Sequence, residues 1–202
     1  TLTTTPYRLY KLDLLLQSLA HQTHRLDAIY LVLPYTFLRD WFWYDHPWWY
    51  QMVAPDRIRI VRCEQDFKPQ TAVLCILKHE TDPNTRILVV DDDIVYHPML
   101  AERLLAQSEA HPGAMIGAMC YYRRGVWCEK HDEHGVCILP NLVHTTYGIL
   151  FQRRFFDAGI FNYGAAAHAL DKQRPDFESR FQFTVTSCMI QDNLWYEAHL
   201  AM

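Results

Sequence analysis

Residues 86–98 read Arg-Ile-Leu-Val-Val-Asp-Asp-Asp-Ile-Val-Tyr-His-Pro, an apolar run that meets three consecutive carboxylates and then turns apolar again. A continuous run such as residues 87–90 is the pattern of a strand covered on both faces, as strands of parallel sheets are. Three acids at its end repel one another, and partial burial raises the cost of their charge unless a cation or a set of donors compensates. Any fold for this chain must therefore put Asp91, Asp92 and Asp93 where that compensation is available.

The flanking sequence suggests how. Leu9, Leu12, Leu15, Leu16 and Leu19 have the one-sided spacing of an amphipathic helix over 9–19, with Thr5 as a cap and Pro6 at its first position. Short β-rich runs follow at 28–33 and 58–62, a helix at 69–80, the strand at 87–90, a helix at 98–110 and a strand at 114–120. Strand and helix alternate, which favours right-handed βαβ units and a doubly wound α/β sheet. The acids then fall at the carboxyl end of a central strand, where open α/β sheets bind ligands. The second half is less regular: a hairpin over 126–137 turning at His134-Gly135, strands at 143–151 and 183–190, and a helix at 192–202. Residues 165–180 have no clear period and suit either a lid or a plain surface loop.

At 202 residues the chain is sized for one domain, and with half its residues apolar it has the composition of a globular one. A net charge of −4 offers no basic excess to displace phosphate counterions, so no nucleic-acid partner is expected. No run reaches the ~18 apolar residues a membrane span needs, and there is no secretory pattern, so a cytoplasmic location is expected. Because the chain opens on Thr1-Leu2-Thr3 without Met, a segment ahead of it, an anchor included, stays open. The six cysteines are too scattered to scaffold the fold, and Cys63, Cys75, Cys120 and Cys188 read as buried thiols.

Several stretches, taken in order, resemble the GT-A class of nucleotide-sugar glycosyltransferases, in the large group related to family-two enzymes. They are Thr3-Thr-Thr-Pro-Tyr-Arg8, Gln22-Thr23, Ile29-Tyr-Leu-Val-Leu-Pro34, Val89-Val-Asp-Asp-Asp-Ile-Val-Tyr96, Tyr147-Gly148-Ile-Leu-Phe-Gln-Arg-Arg-Phe-Phe156 and Met189-Ile-Gln-Asp-Asn-Leu-Trp195. The resemblance covers nearly the whole chain and implies one domain: a Rossmann-like mixed sheet flanked by helices, with a nucleotide-sugar-binding half (1–120) and an acceptor-side half (121–202). It implies transfer of a hexosyl or deoxyhexosyl group from a nucleotide diphosphate sugar, a UDP-sugar first among them, to a hydroxyl of a glycan or other acceptor.

Such transfer needs the departing diphosphate neutralised, which a hard divalent cation, Mn2+ or Mg2+, does through one or two carboxylates and phosphate oxygens. By the resemblance, Asp93 holds the metal, Asp91 reaches the ribose and shares in the metal site, and Asp92 supports them through water. An acid at the start of a late helix is the base of inverting members, and Asp192 stands there, with Gln191 and Asn193 where acids are frequent. A plain N-cap is the other use of Asp192. The donor loop departs from the Asp-x-Gly-Pro-Ala-Thr-Lys of relatives: Asp66, Pro69 and Thr71 match, the terminal base is replaced by Ala72, and Lys68 carries a charge nearby. Thr5 and Arg8 match the nucleotide-side opening motif, and Tyr147-Gly148 match a loop near the acceptor.

Three further features compete for attention. Trp41-Phe-Trp-Tyr-Asp-His-Pro-Trp-Trp-Tyr50 offers rings to a sugar, a base or a membrane surface, or folds over itself to cover a sheet edge. Cys128, His131, His134 and Cys137 have zinc-site spacing, and equally suit a hairpin with exposed His and free or paired thiols. His199, seven residues after Asp192, is either a further metal ligand or an ordinary solvated or core His. Two alternatives to transfer stand beside it. One is a haloacid-dehalogenase-like phosphatase using Asp91 and Asp93, though that motif normally follows a first strand. The other is a domain that binds a nucleotide sugar without turnover, which Ala72 and Gln191 keep open.

Overall fold

The computed structural model describes residues 1–38, 41–118, 120–121, 137–138, 142–143 and 148–161. Its elements are α1 (Asp13–Ala20), β1 (Ile29–Pro34), β2 (Thr36–Phe37), β3 (Phe42–Trp43), β4 (Ile58–Cys63), α2 (Thr71–His79), β5 (Arg86–Val89) and α3 (Leu100–Ala110). Short strands β6 (Ile116–Gly117), β7 (Cys120–Tyr121), β8 (Cys137–Ile138) and β9 (Leu142–Val143) precede β10 (Ile149–Gln152).

Strand β1 pairs in parallel with β4, while β10 runs antiparallel to both β5 and β6, and β8 closes that side. Thr1 and Leu2 join the two groups: Leu2 N–H donates to Tyr30 C=O at 3.0 Å, and Val90 N–H donates to Thr1 C=O at 3.1 Å. The result is the mixed sheet expected, with β1, β4 and β5 pointing their carboxyl ends the same way. Alternation along the strands feeds two cores. Ile29, Leu31, Leu33, Leu88 and Val90 pack with Leu15, Leu16 and Leu19 of α1 and Ala101 and Leu104 of α3. Tyr30, Val32, Ile87 and Val89 pack with α2, of which every residue from Thr71 to Leu77 is buried. Helices on both faces explain why β1 and residues 87–89 of β5 are apolar without interruption.

The first helix differs from its periodicity. Residues Leu9–Lys11 form a 3-10 turn and α1 begins at Asp13, with no side-chain cap at either start. The cause is Tyr50, whose hydroxyl donates to Leu9 C=O at 2.5 Å and accepts from Leu12 N–H at 3.2 Å. A phenol inserted there satisfies the two backbone groups that a continuous helix would have used.

Three other expectations are corrected. The run 114–120 divides into β6 and β7, which pair in different sheets, and 143–151 likewise divides between β9 and β10. Cys63 and Cys75 are joined in a disulfide. The end of β4 and the middle of α2 face the same core with Cα atoms 6.1 Å apart, inside the range a disulfide spans. The aromatic stretch after β1 forms the β2–β3 hairpin and a 3-10 turn, Trp48–Met52. Tyr44 and Tyr50 are buried, but Trp41, Phe42, Trp43 and Trp48 face out, so only part of the stretch covers its own rings.

Candidate functional site

Strand β5 delivers Val90 into the core and then ends, and the next three residues are the acids. The loop they form is braced from below by Tyr96, whose hydroxyl accepts the Asp91 N–H at 2.9 Å and whose own N–H donates to Ser18 Oγ at 3.1 Å. Burial pushes the Tyr96 phenol well above its usual range, so it stays a neutral hydroxyl while the protein is folded.

The acids are held unequally. Asp92 has the most enclosed carboxylate of the ion-paired pair, 10% exposed against 51% for Asp93. One Asp92 oxygen accepts from Thr4 Oγ1 at 2.6 Å and the other from Arg8 Nη1 at 2.7 Å. The same Arg8 nitrogen lies 3.1 Å from Asp93 Oδ2. The hydrogen bond to Asp92, then its charge, hold the Arg8 guanidinium above the ordinary arginine range. Two carboxylates thus share one guanidinium in this loop, and among these three groups negative charge is in excess. Among the described residues, no three His, Cys, Asp or Glu side chains converge as a closed metal cage. That donor set fits a hard cation that takes one or two carboxylates here and its other oxygens from phosphate and water.

The neighbouring wall rises from the end of β4. Asp66 is buried and accepts three hydrogen bonds: from Leu38 N–H at 2.9 Å, Lys68 N–H at 2.7 Å and Thr71 Oγ1 at 3.4 Å. It therefore ties the β2–β3 hairpin to the start of α2. Lys68 is exposed and sits in the left-handed region at φ 59°, a strained setting for a residue with a Cβ. Two residues on, Gln70 is fully buried, and among the described residues neither its amide nitrogen nor its amide oxygen has a hydrogen-bond partner. A second tie comes from Tyr44, whose hydroxyl donates to Thr4 C=O at 2.6 Å.

Arg8, Asp92 and Asp93 are thus brought into contact, with Asp91 adjoining, and Asp66 with Lys68 stands at the same carboxyl edge of the sheet. Thr5 serves through its backbone, its carbonyl accepting the N–H groups of Arg8 and Leu9 at 3.0 Å each. Gly148 opens β10 with φ +104°, and a Cβ there would meet Leu100 Cδ2 at 3.4 Å and Leu88 Cδ1 at 3.5 Å. Backbone conformation and packing both favour glycine at that point. Tyr147, Asp192, Cys128, His131, His134 and His199 lie outside the described residues, as do the hairpin over 126–137 apart from Cys137 and the stretch 165–202. Of Cys137 only the backbone is described, in β8.

Thr4, Tyr96 and Gln70 were not singled out by the sequence. Thr4 is one of three adjacent threonines, and only its register beside β5 selects it. The signal that marks Tyr96 is an aromatic residue at the point where the loop returns to the core.

Among curated proteins no match to the chain is found. Residues 49–170, more than half the chain, match the family described as glycosyl transferase family 2. The matched span holds Asp66, Lys68, the three acids and Gly148, whereas Thr4, Arg8 and Asp192 fall outside it. This match, with acids at the carboxyl end of a strand in a mixed sheet covered by helices, establishes that the chain belongs to glycosyl transferase family 2, with the GT-A fold and glycosyl transfer as its function.

Proposed function

We propose that the chain transfers a hexosyl or deoxyhexosyl group from a nucleotide diphosphate sugar to an acceptor hydroxyl with inversion, dependent on Mn2+ or Mg2+. The observation that carries this reading is the loop at the end of β5, where Arg8 bridges Asp92 and Asp93 and leaves carboxylate charge in excess. Family membership favours it over the phosphatase alternative.

Asp93, the more exposed of the two acids on Arg8, and Asp91 beside it would hold the cation. When bound, the ion offsets charge on the diphosphate as the sugar leaves. Asp92 has its carboxylate occupied by Thr4 and Arg8, which suits it to fix the loop and the guanidinium. Asp91 is assigned the ribose and Arg8 the donor's phosphate side. Asp66 acts on the donor indirectly, by holding the hairpin and the Lys68 turn in place. Lys68 supplies the positive charge that relatives carry where Ala72 stands. Tyr147 and Gly148 border the acceptor. Asp192 takes the hydroxyl proton as the acceptor oxygen bonds to the anomeric carbon from the face opposite the diphosphate. The bond from that carbon to the diphosphate oxygen breaks with its electron pair leaving on the diphosphate.

The test is calorimetric titration of UDP, GDP and dTDP, with and without manganese, on the native chain and on Asp93→Asn. Binding of one nucleotide that requires manganese and is lost in the variant is the expected result. Binding that ignores both metal and substitution would overturn the metal assignment, and no binding of any nucleotide would overturn the donor class.

A further inference from the structure

The acid loop is gripped from two sides by the chain around α1. Ahead of that helix, Thr4 and Arg8 engage the Asp92 carboxylate. Just past its end, Gln22 Nε2 donates to His97 C=O at 2.9 Å, and Gln22 Oε1 accepts Ala101 N–H at 3.0 Å. One turn earlier, Ser18 Oγ accepts Tyr96 N–H at 3.1 Å and donates its own proton to Leu15 C=O at 2.7 Å. The chain that follows the acids is therefore fastened to the end of α1, and Asp92 to the segment before it.

Asp91 is reached by a different bond. Val90 N–H still donates to backbone, the Thr1 carbonyl, but one residue later the Asp91 N–H donates to a side chain, the Tyr96 hydroxyl, at 2.9 Å. That bond closes residues 91–96 on themselves with all three acids inside the loop. Tyr96 is buried in the core that holds Leu15, Leu16 and Leu19 of α1, so its oxygen is a fixed point.

We propose that Tyr96 is a positioning residue for the divalent cation: its hydroxyl sets the direction in which Asp91 leaves β5, and so where the Asp91 carboxylate meets the ion beside Asp93. This role rests on the cation proposed above for Asp91 and Asp93. The Asp91 carboxylate hangs from the same Cα as the N–H that Tyr96 holds, so turning that peptide would break the bond. Three adjacent acids repel one another, and closing their loop holds them together until an ion offsets the charge. A hard cation accepts oxygen ligands within a narrow range of distance, so a small turn at Asp91 weakens its hold. Phenylalanine would keep the ring of Tyr96 in the core and remove only the acceptor. Groups that orient a metal ligand in this way change metal affinity by about 10–100-fold when lost.

The test compares the native chain with Tyr96→Phe and with Tyr30→Phe. Tyr30 is also a buried phenol, but it lies near the amino end of β1 and bonds to Glu80 and Arg59. Free Mn2+ is followed by electron paramagnetic resonance in the presence of UDP, GDP or dTDP, and amide hydrogen exchange is measured on metal-free protein. In Tyr96→Phe the Mn2+ dissociation constant should rise about tenfold or more, and the Asp91 amide should exchange about tenfold faster or more. Nucleotide affinity at saturating Mn2+ should stay within about twofold, since an outer partner of the metal ligand is not itself a nucleotide contact. Tyr30→Phe should move neither quantity at the acid loop. Equal weakening of Mn2+ binding in Tyr30→Phe would overturn the assignment, as would either effect in Tyr96→Phe without the other, or neither. Native protein that takes up no Mn2+ beside any of the three nucleotides would overturn the cation reading and this role with it. That result is distinct from a native protein that binds Mn2+ no better than Tyr96→Phe, which overturns the role of Tyr96 alone.

Discussion

Arg8 Nη1 lies 2.7 Å from Asp92 Oδ1 and 3.1 Å from Asp93 Oδ2, so one guanidinium nitrogen serves two neighbouring carboxylates of different exposure. Substitutions at the two acids should therefore part company. Asp92→Asn weakens the bonds to Thr4 and Arg8 at an enclosed position and should lower stability by about 1–3 kcal/mol. Asp93→Asn, half exposed, should leave stability within about 0.5 kcal/mol while removing metal-dependent nucleotide binding. Urea titration and calorimetry on both variants decide this, and matching behaviour of the two would contradict the division of labour.

Asp192→Asn should leave nucleotide affinity nearly intact while transfer falls by orders of magnitude, because a proton acceptor acts at the chemical step. Equal loss of binding and turnover would remove Asp192 from the role of base.

Gln70→Leu is expected to stabilise the chain by about 1–2 kcal/mol. The fully buried amide has no partner for its nitrogen or oxygen among the described residues, and a leucine of similar reach ends that desolvation cost. Chemical denaturation checks it, and a destabilised variant would mean that the amide is satisfied in solution.

These residues also mark what the sequence could and could not convey. The end of β5 was legible because an unbroken apolar run followed by acids has few physical interpretations, and α2 because its turns are apolar all round. The break before α1 was not, since it depends on Tyr50 reaching back from the far side of the hairpin. Nor was that hairpin, whose Trp41 takes φ 57° without the Gly or Asn that usually advertises such a turn. An apolar run like residues 149–151 looks alike in parallel and antiparallel settings, so the reversed direction of β10 emerges only from pairing. The same limit hid the partners Cys63 and Cys75, each of which reads as a core thiol alone.

That pair yields its own expectation. The bond closes a loop of sequence separation 12, and Cys75→Ala should lower stability by about 2–3 kcal/mol. Peptide mapping without reductant should recover residues 63 and 75 linked, and free alkylation of both would refute the bridge.

The reversed strand β10 bears on the order of assembly. Its partner β5 is some sixty residues earlier in the chain, with Ile149 opposite Val89 and Gln152 opposite Arg86. Contacts so distant in sequence bring late reward for a large loss of chain freedom, so they form late in folding. During synthesis the acids at the end of β5 emerge well before the strand that seals its far edge. The charged loop therefore acquires its final shape only after residues 149–152 have been made.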